Sequence, residues 1–390
     1  MSSPSAERPT FVSQRKLVVL AQIAFLPTGI LTTLLGPMLP ILISRWAMSD
    51  TQAGNLFLVQ FLASVVGVQL SGVLLSRRGY RPAFLAGLLL MALGVTMLCF
   101  GSLWLGLVSV ATYGLGLGLI IPTDNLLIAE ISSGSGPASS AAAVSLLNFF
   151  WGVGAVFCSL MVAWSAAHHL LPFFLISVAA ILVLLAFAMR ALPFPAAEAL
   201  SRSSVSWLEL TKSPTIWIFA SVFFLYPGAE TAVGGWIGSY VSRMGMRGVA
   251  MASMMPAFFW SALTAGRALG TVFLRHFSER QVLRAGYAAG TAGIALIMWA
   301  PSLTGVIVGA SITGLAFSVL YPINVARFSQ RYGVSARSIG AVMFSLASVG
   351  PAVLPWTVGM ISQFTGSLRT GLLVPLGATA ILFVIHLFDW

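Results

Sequence analysis

Negative charge is nearly missing from this sequence. Of 390 residues, nine are Asp or Glu, and charged residues of both signs make up 7%. A water-soluble chain of this length needs a far more charged surface, so a large soluble domain is excluded. Cysteine is scarce as well. Cys99 and Cys158 both fall in apolar runs, where they are small core residues rather than a disulfide or a thiolate metal site. His168 and His169 have no acidic or cysteine neighbours to complete a metal site. No Ser, Cys or His constellation suggests catalysis. Gly114-Leu-Gly116-Leu-Gly118 follows no strand and lies inside an apolar run, so it is a helix-packing surface and not a phosphate loop. The chain therefore does not read as an enzyme, no cofactor or metal is expected, and nothing supports ATP drive. Met1 to Lys16 is polar, and the apolar run after it is too long for a signal peptide, so it is expected to be retained as a helix.

Hydrophobicity is what the sequence has in excess: 58% of residues, with a mean hydropathy of +0.97. Apolar runs long enough to cross a bilayer recur from end to end. They predict helices over 17–44, 51–76, 82–101, 103–131, 137–166 and 170–190, then 214–242, 248–275, 281–299, 303–331, 336–365 and 369–388. The net charge of +11 is dispersed through the short loops between runs, which excludes a nucleic-acid partner and fixes orientation instead. With the N-terminus inside, fifteen basic residues fall on the cytoplasmic side, among them Arg77, Arg78, Arg81, Arg275, Arg280 and Arg284. Four fall outside: Arg45, Arg243, Arg247 and Arg369. Both ends are therefore expected in the cytoplasm.

The longest break separates two groups of six runs. It predicts a tail over 1–16, a six-helix bundle over 17–190, a linker over 191–213 and a second bundle over 214–390. The two groups match at a nearly constant offset. Gly67, Arg81 and Gly87 recur as Gly266, Arg280 and Gly286, 199 residues on; Gly114 and Pro122 recur as Gly314 and Pro322, 200 residues on. The expected fold is an all-α integral membrane protein of twelve transmembrane helices in two pseudo-symmetric six-helix bundles, an architecture that rocks two bundles about a central site.

The segment Gly72-Val-Leu-Leu-Ser76-Arg77-Arg78-Gly79-Tyr80-Arg81 resembles the signature loop of the major facilitator superfamily, with Ser76 where that family normally carries an aspartate. Within the superfamily, three stretches resemble the fucose–proton symporter group and its glucose-transporting branch: Gly36-Pro37-Met38-Leu39-Pro40, Leu225-Tyr226-Pro227-Gly228-Ala229-Glu230 and Leu320-Tyr321-Pro322-Ile323-Asn324. The glutamate that the fucose symporter carries four positions before an asparagine falls on Ile121 if that asparagine is Asn125, so proton coupling does not carry over at that position. The resemblance implies a secondary active transporter that moves a hexose-type solute by alternating access, coupled to protons or sodium. It is expected to act as a monomer among the lipids of a bacterial-type inner membrane. An exporter of amphipathic drugs or lipids, and a non-transporting receptor on the same fold, remain alternatives.

Three acidic residues lie within predicted helices, where an ionisable group at membrane depth costs several kcal/mol and asks for a reason. Glu230 sits about 24 Å into its helix at 1.5 Å per residue, near mid-bilayer, with Tyr226 four positions earlier on the same face. It is the leading candidate for solute binding and ion coupling. Asp124, two residues after Pro122, is a second coupling candidate, with a structural pair to Arg77 or Arg78 as the alternative. Glu130 is expected to latch to Arg77, Arg78 and Arg81 as a cytoplasmic gate. Arg267 is expected to snorkel to the cytoplasmic interface, about 12 Å away. Neutral candidates for the solute cavity are Gln22, Gln60, Asn148, Trp151, Trp260, Asn324 and Trp356, with Thr32, Asn55, Trp236 and Ser348 as lesser ones.

Overall fold

In the computed structural model the residues described are 11–133, 137–195, 213–245, 248–333 and 336–388. Most of the expected tail and linker lies outside them. Fifteen helices are present among the described residues, and they form twelve segments long and apolar enough to cross a membrane. The N-terminal half comprises α1 (Phe11–Thr33), α2 (Leu35–Trp46), α3 (Asp50–Arg78), α4 (Tyr80–Met97), α5 (Leu103–Ser133), α6 (Pro137–Ala167) and α7 (Leu171–Met189). The C-terminal half comprises α8 (Pro214–Arg243), α9 (Gly248–His276), α10 (Glu279–Trp299), α11 (Leu303–Phe317), α12 (Leu320–Tyr332), α13 (Ala336–Thr365), α14 (Leu368–Gly371) and α15 (Leu373–Leu387).

The three extra helices arise where spans 1, 10 and 12 break, and each break sits three or four residues before a proline. Leu34 precedes Pro37, Ser318 and Val319 precede Pro322, and Leu372 precedes Pro375. A proline has no N–H to give the carbonyl one turn back, and its ring crowds that carbonyl. The helix yields at that turn. In α5, by contrast, Pro122 is carried without a break.

The repeat is visible in packing as well as in sequence. In the first half α3 packs on α5, α4 on α5, α1 on α6 and α4 on α7; the second half repeats these as α9 on α11, α10 on α11, α8 on α13 and α10 on α15. Glycines set the close approaches, and they too recur. Gly87 lies against Gly116 and Ile120, and Gly286 against Ala316 and Leu320. Gly29 abuts the Trp151 carbonyl, and Gly228 the Gly350 carbonyl, with both partners displaced by 199. In lipid no hydrophobic driving force pulls helices together, so this backbone-to-backbone contact carries much of the packing. Two symmetric pairs join the halves: α3 packs on α13, and α9 on α6.

Candidate solute-binding site

Midway along the molecule the halves part around a cavity of about 150 Å³. The break in span 1 shapes one wall, placing Thr32, Thr33 and Gly36 on either side of Leu34, with Phe57 and Phe61 of α3 and Trp151 of α6 beside them. The facing wall is Pro227, Glu230, Thr231, Gly234 and Gly235 of α8, Trp260 of α9 and Pro351 of α13. Glycine lets the walls meet: a Cβ on Gly36 would lie 2.5 Å from the Gly234 carbonyl oxygen, and one on Gly235 would lie 2.6 Å from the Phe57 ring.

Glu230 is half-buried in this wall. The hydroxyl of buried Tyr226, one turn earlier on α8, lies 2.5 Å from Glu230 Oε2 and 2.8 Å from the Phe317 carbonyl oxygen. Phe317 ends α11, so the break before Pro322 leaves its carbonyl at a helix C-terminus, where α-helical carbonyls lack intrahelical partners. Tyr321 stacks on Tyr226 with centroids 6.0 Å apart, and the Phe317 ring packs at 5.4 Å, fixing the phenol in place.

Arg267 also reaches this level. Its guanidinium lies 5.3 Å from the centre of the Trp151 ring, and its charge bears on Glu230, Tyr226 and Tyr321 without forming an ion pair. The arginine expected at the interface is instead an interior cation held by an aromatic face. Trp151 in turn meets Trp260 edge-on at 5.6 Å, and its Nε1 lies 3.4 Å from Thr32 Oγ1. Trp260 Nε1, Thr264 Oγ1 and Arg267 Nε are all buried without a hydrogen-bond partner among the described residues. At spacings of four and three they share one face of α9. Sequence reasoning missed Thr264, although that spacing was legible.

The sequence profile described as Major Facilitator Superfamily matches residues 23–355. The chain belongs to the major facilitator superfamily. It is a multi-pass membrane transporter rather than an enzyme. "Bypass of stop codon protein 6" of Saccharomyces cerevisiae is 26% identical over 302 residues, 70% of this chain but 60% of that protein's length. A glucose/galactose transporter of Brucella abortus is 23% identical over 368 residues, 88% of this chain and 86% of the relative. Among solved structures, the nucleoside transporter NupG superposes with a TM-score of 0.77 at 16% identity, covering 96% of this chain and 99% of its own. The E. coli fucose:proton symporter FucP does so with a TM-score of 0.67 at 19% identity, over the same shares.

This superfamily member places other expected residues away from the cavity. Gln60 is fully buried inside the N-terminal half, accepting from the Tyr113 hydroxyl at 2.9 Å and donating to the Thr32 carbonyl at 3.4 Å. Asn148 donates to the Val144 carbonyl of its own helix and is not in the cavity wall, which Trp151 reaches three residues later. Asn324 is buried inside the C-terminal half, donating to Tyr287 Oη at 3.2 Å, with His386 Nε2 at 3.5 Å from its carbonyl oxygen. Gln22 lies on α1 ten residues before Thr32, about 15 Å along the axis, and does not line the cavity. Of the lesser candidates, Ser348 donates to the Phe344 carbonyl of its own helix, and Trp236 Nε1 to the Pro355 carbonyl at 2.9 Å.

Trp356 and Asn55 serve a different purpose. Trp356 Nε1 donates to Asn55 Oδ1 at 3.0 Å, joining α13 to α3 across the two halves. Nearby, at the end of the molecule opposite the arginine-rich loops, Arg243 of α8 clasps the Asp50 carboxylate of α3 through both terminal nitrogens. Ser362 Oγ donates to the same carboxylate at 2.5 Å, and the Asp50 amide donates to Gln363 Oε1 at 3.1 Å. This ion pair joins the N-terminal half to the C-terminal half. The sequence does not point to it, because Asp50 falls just outside the helix expected over 51–76 and belongs to no motif.

The cytoplasmic latch expected of Glu130 is not formed in this structure. No ion pair joins it to Arg77, Arg78 or Arg81; its carboxylate accepts from the Tyr80 hydroxyl, while Arg81 donates to the Leu192 carbonyl at 2.7 Å. Asp124 is fully buried in α5, with neither oxygen hydrogen-bonded to any described residue, so the alternative reading of a pair with Arg77 or Arg78 is not formed.

Proposed function

We propose that this chain is a proton-coupled transporter of a small polyhydroxylated solute of the hexose class, working by alternating access in a bacterial-type inner membrane. One observation carries the coupling: the two contacts of Tyr226. A phenol has one proton to donate, and the Phe317 carbonyl can only accept. When Tyr226 donates to Phe317, the 2.5 Å contact with Glu230 is satisfied by a proton on the glutamic acid. The geometry thus suits a Glu230 loaded with a proton.

The solute class is supported by the chemistry of the walls. Trp260 Nε1 is an unused hydrogen-bonding atom in the cavity wall that also holds Glu230, and Thr264 Oγ1 and Arg267 Nε continue the same face of α9 without a partner among the described residues. Trp151 and Trp260 offer apolar faces for the C–H surface of a sugar ring. The fucose:proton symporter and the glucose/galactose transporter among the similar proteins agree with this reading. Arg267, held over the Trp151 ring of the cavity wall, is a cation at the same level, so solute entering the cavity can bias proton release at Glu230.

The Asp50–Arg243–Ser362 cluster closes the outer mouth in this state. Reorienting the site requires breaking it, with Glu130 and the arginines of 77–81 as the opposing inner gate. The test is counterflow of a labelled panel of hexoses, pentoses, nucleosides and hydrophobic cations in proteoliposomes, with proton and sodium gradients imposed separately. Saturable hexose exchange driven uphill by a proton gradient alone is expected. Exchange confined to hydrophobic cations, or sodium-only drive, would overturn the reading.

A further inference from the structure

The internal repeat singles out Asp124. Gly87 packs on Ile120 in the first half as Gly286 packs on Leu320 in the second, and Pro122 corresponds to Pro322, so Asp124 and Asn324 occupy equivalent places. The second half equips its place with polar partners. Tyr287 and His386 flank Asn324, and their rings pack 4.6 Å apart. The first half has none: the positions 199 to 200 residues earlier are Leu88 and, for His386, Phe187 and Ala186.

Asp124 is therefore enclosed without a donor. Leu117, Ile120, Leu127 and Ile128, all buried, share or adjoin its side of α5. The helices packed against α5 are α1, α3, α4 and α6. Of their ionisable groups, Arg15, Lys16, Asp50, Arg77, Arg78, Tyr80, Arg81 and Cys158 make no hydrogen bond or ion pair with Asp124, and on α5 itself Glu130 turns to Tyr80 and Tyr113 to Gln60. A carboxylate enclosed in this way costs several kcal/mol, whereas the neutral acid costs only its unmade hydrogen bonds. An asparagine would fill the same space permanently neutral, as it does in the second half. An ionisable group that does nothing in this state has its use in another.

We propose that Asp124 is a second proton-binding site, separate from the solute cavity, that holds a proton while the outer mouth is latched and exchanges it when the halves reorient. Its position favours exchange with the side bearing the arginine loops: Glu130, at that end of α5, is six residues away, about 9 Å along the axis. The inference adds a second proton to the coupling read at Glu230, yet it can be tested without any solute.

The chain has three aspartates: Asp50, Asp124 and Asp389. Full-length protein in lipid vesicles, carrying carboxyl-13C aspartate, is followed by infrared spectroscopy in the C=O region of protonated carboxyls, with D389N as the control for the terminal residue. Asp50, clasped by Arg243, contributes no such band. An isotope-shifted acid band is expected at neutral pH in wild type and in E230Q. It is expected to disappear in D124N, and to fall when D50N opens the latch. No labelled acid band in wild type would overturn the site, and so would a band that D50N and alkaline pH both leave unchanged. Loss of an unlabelled band in E230Q reports Glu230 separately, so failure of one site is distinguishable from failure of the other. The isotope shift also stands without D124N, should that variant not fold.

Discussion

At the scale of single residues, the site depends on which side chains have spent their hydrogen bonds and which have not. Trp260 has an unspent one in the cavity wall, and Thr264 another one turn further along the same face of α9. Thr264→Val keeps the shape and removes the hydroxyl. Because a single hydrogen bond contributes about 0.5–1.5 kcal/mol net, solute affinity is expected to fall by roughly 2- to 13-fold, measured by equilibrium binding, with thermal stability unchanged or raised. Gln60 and Asn324 show the converse: both are polar and mid-helix, and both are consumed inside their own half. Their roles were not legible from residue type, because the direction a membrane helix faces is set by its neighbours. Glu230 was legible, since an acid at membrane depth with a tyrosine one turn away has few structural uses. Arg267 was legible as a buried charge, but not as the partner of Trp151, which lies 116 residues earlier in the sequence.

At the scale of elements, three spans break before prolines, and two of the breaks serve the cavity. The break at Leu34 exposes the Thr32–Gly36 turn, and the break after Phe317 supplies the carbonyl that anchors Tyr226. Pro322→Ala is expected to let α11 and α12 join, raising the melting temperature while uncoupling proton flux from solute flux; unchanged coupling with a restored helix would remove Phe317 from the mechanism. The helix positions themselves were readable to within a few residues, because mean hydropathy and span length are strong signals. The breaks are written in Pro37, Pro322 and Pro375, but Pro122 shows why sequence alone does not place them: the same residue at the equivalent place leaves α5 intact.

At the scale of the whole molecule, two similar halves meet through α3 with α13 and α6 with α9, and the outer end is held by Asp50, Arg243 and Ser362. The acid is 10% exposed and the Arg243 side chain 39%, so removing the acid's charge frees an arginine that water already reaches in part. Asp50→Asn is expected to shift the balance between the two facings by about 1–3 kcal/mol, roughly 5- to 150-fold. The readout is alkylation of Thr231→Cys, in a background lacking Cys99 and Cys158, by an impermeant maleimide added outside: slow with the latch intact, fast without it. Equal rates would remove the latch from the gating scheme. The pseudo-symmetry was legible in the 199–200 residue offset, whereas this latch joins residues 193 apart that share no motif.

The role proposed for Glu230 is to carry the proton that drives solute uphill. It is tested most directly by comparing wild type with Glu230→Gln in proteoliposomes, measuring hexose exchange at equal pH alongside hexose accumulation under an imposed pH gradient. The expected result is exchange retained within a few-fold and accumulation abolished. Accumulation that survives intact in Glu230→Gln would contradict the claim.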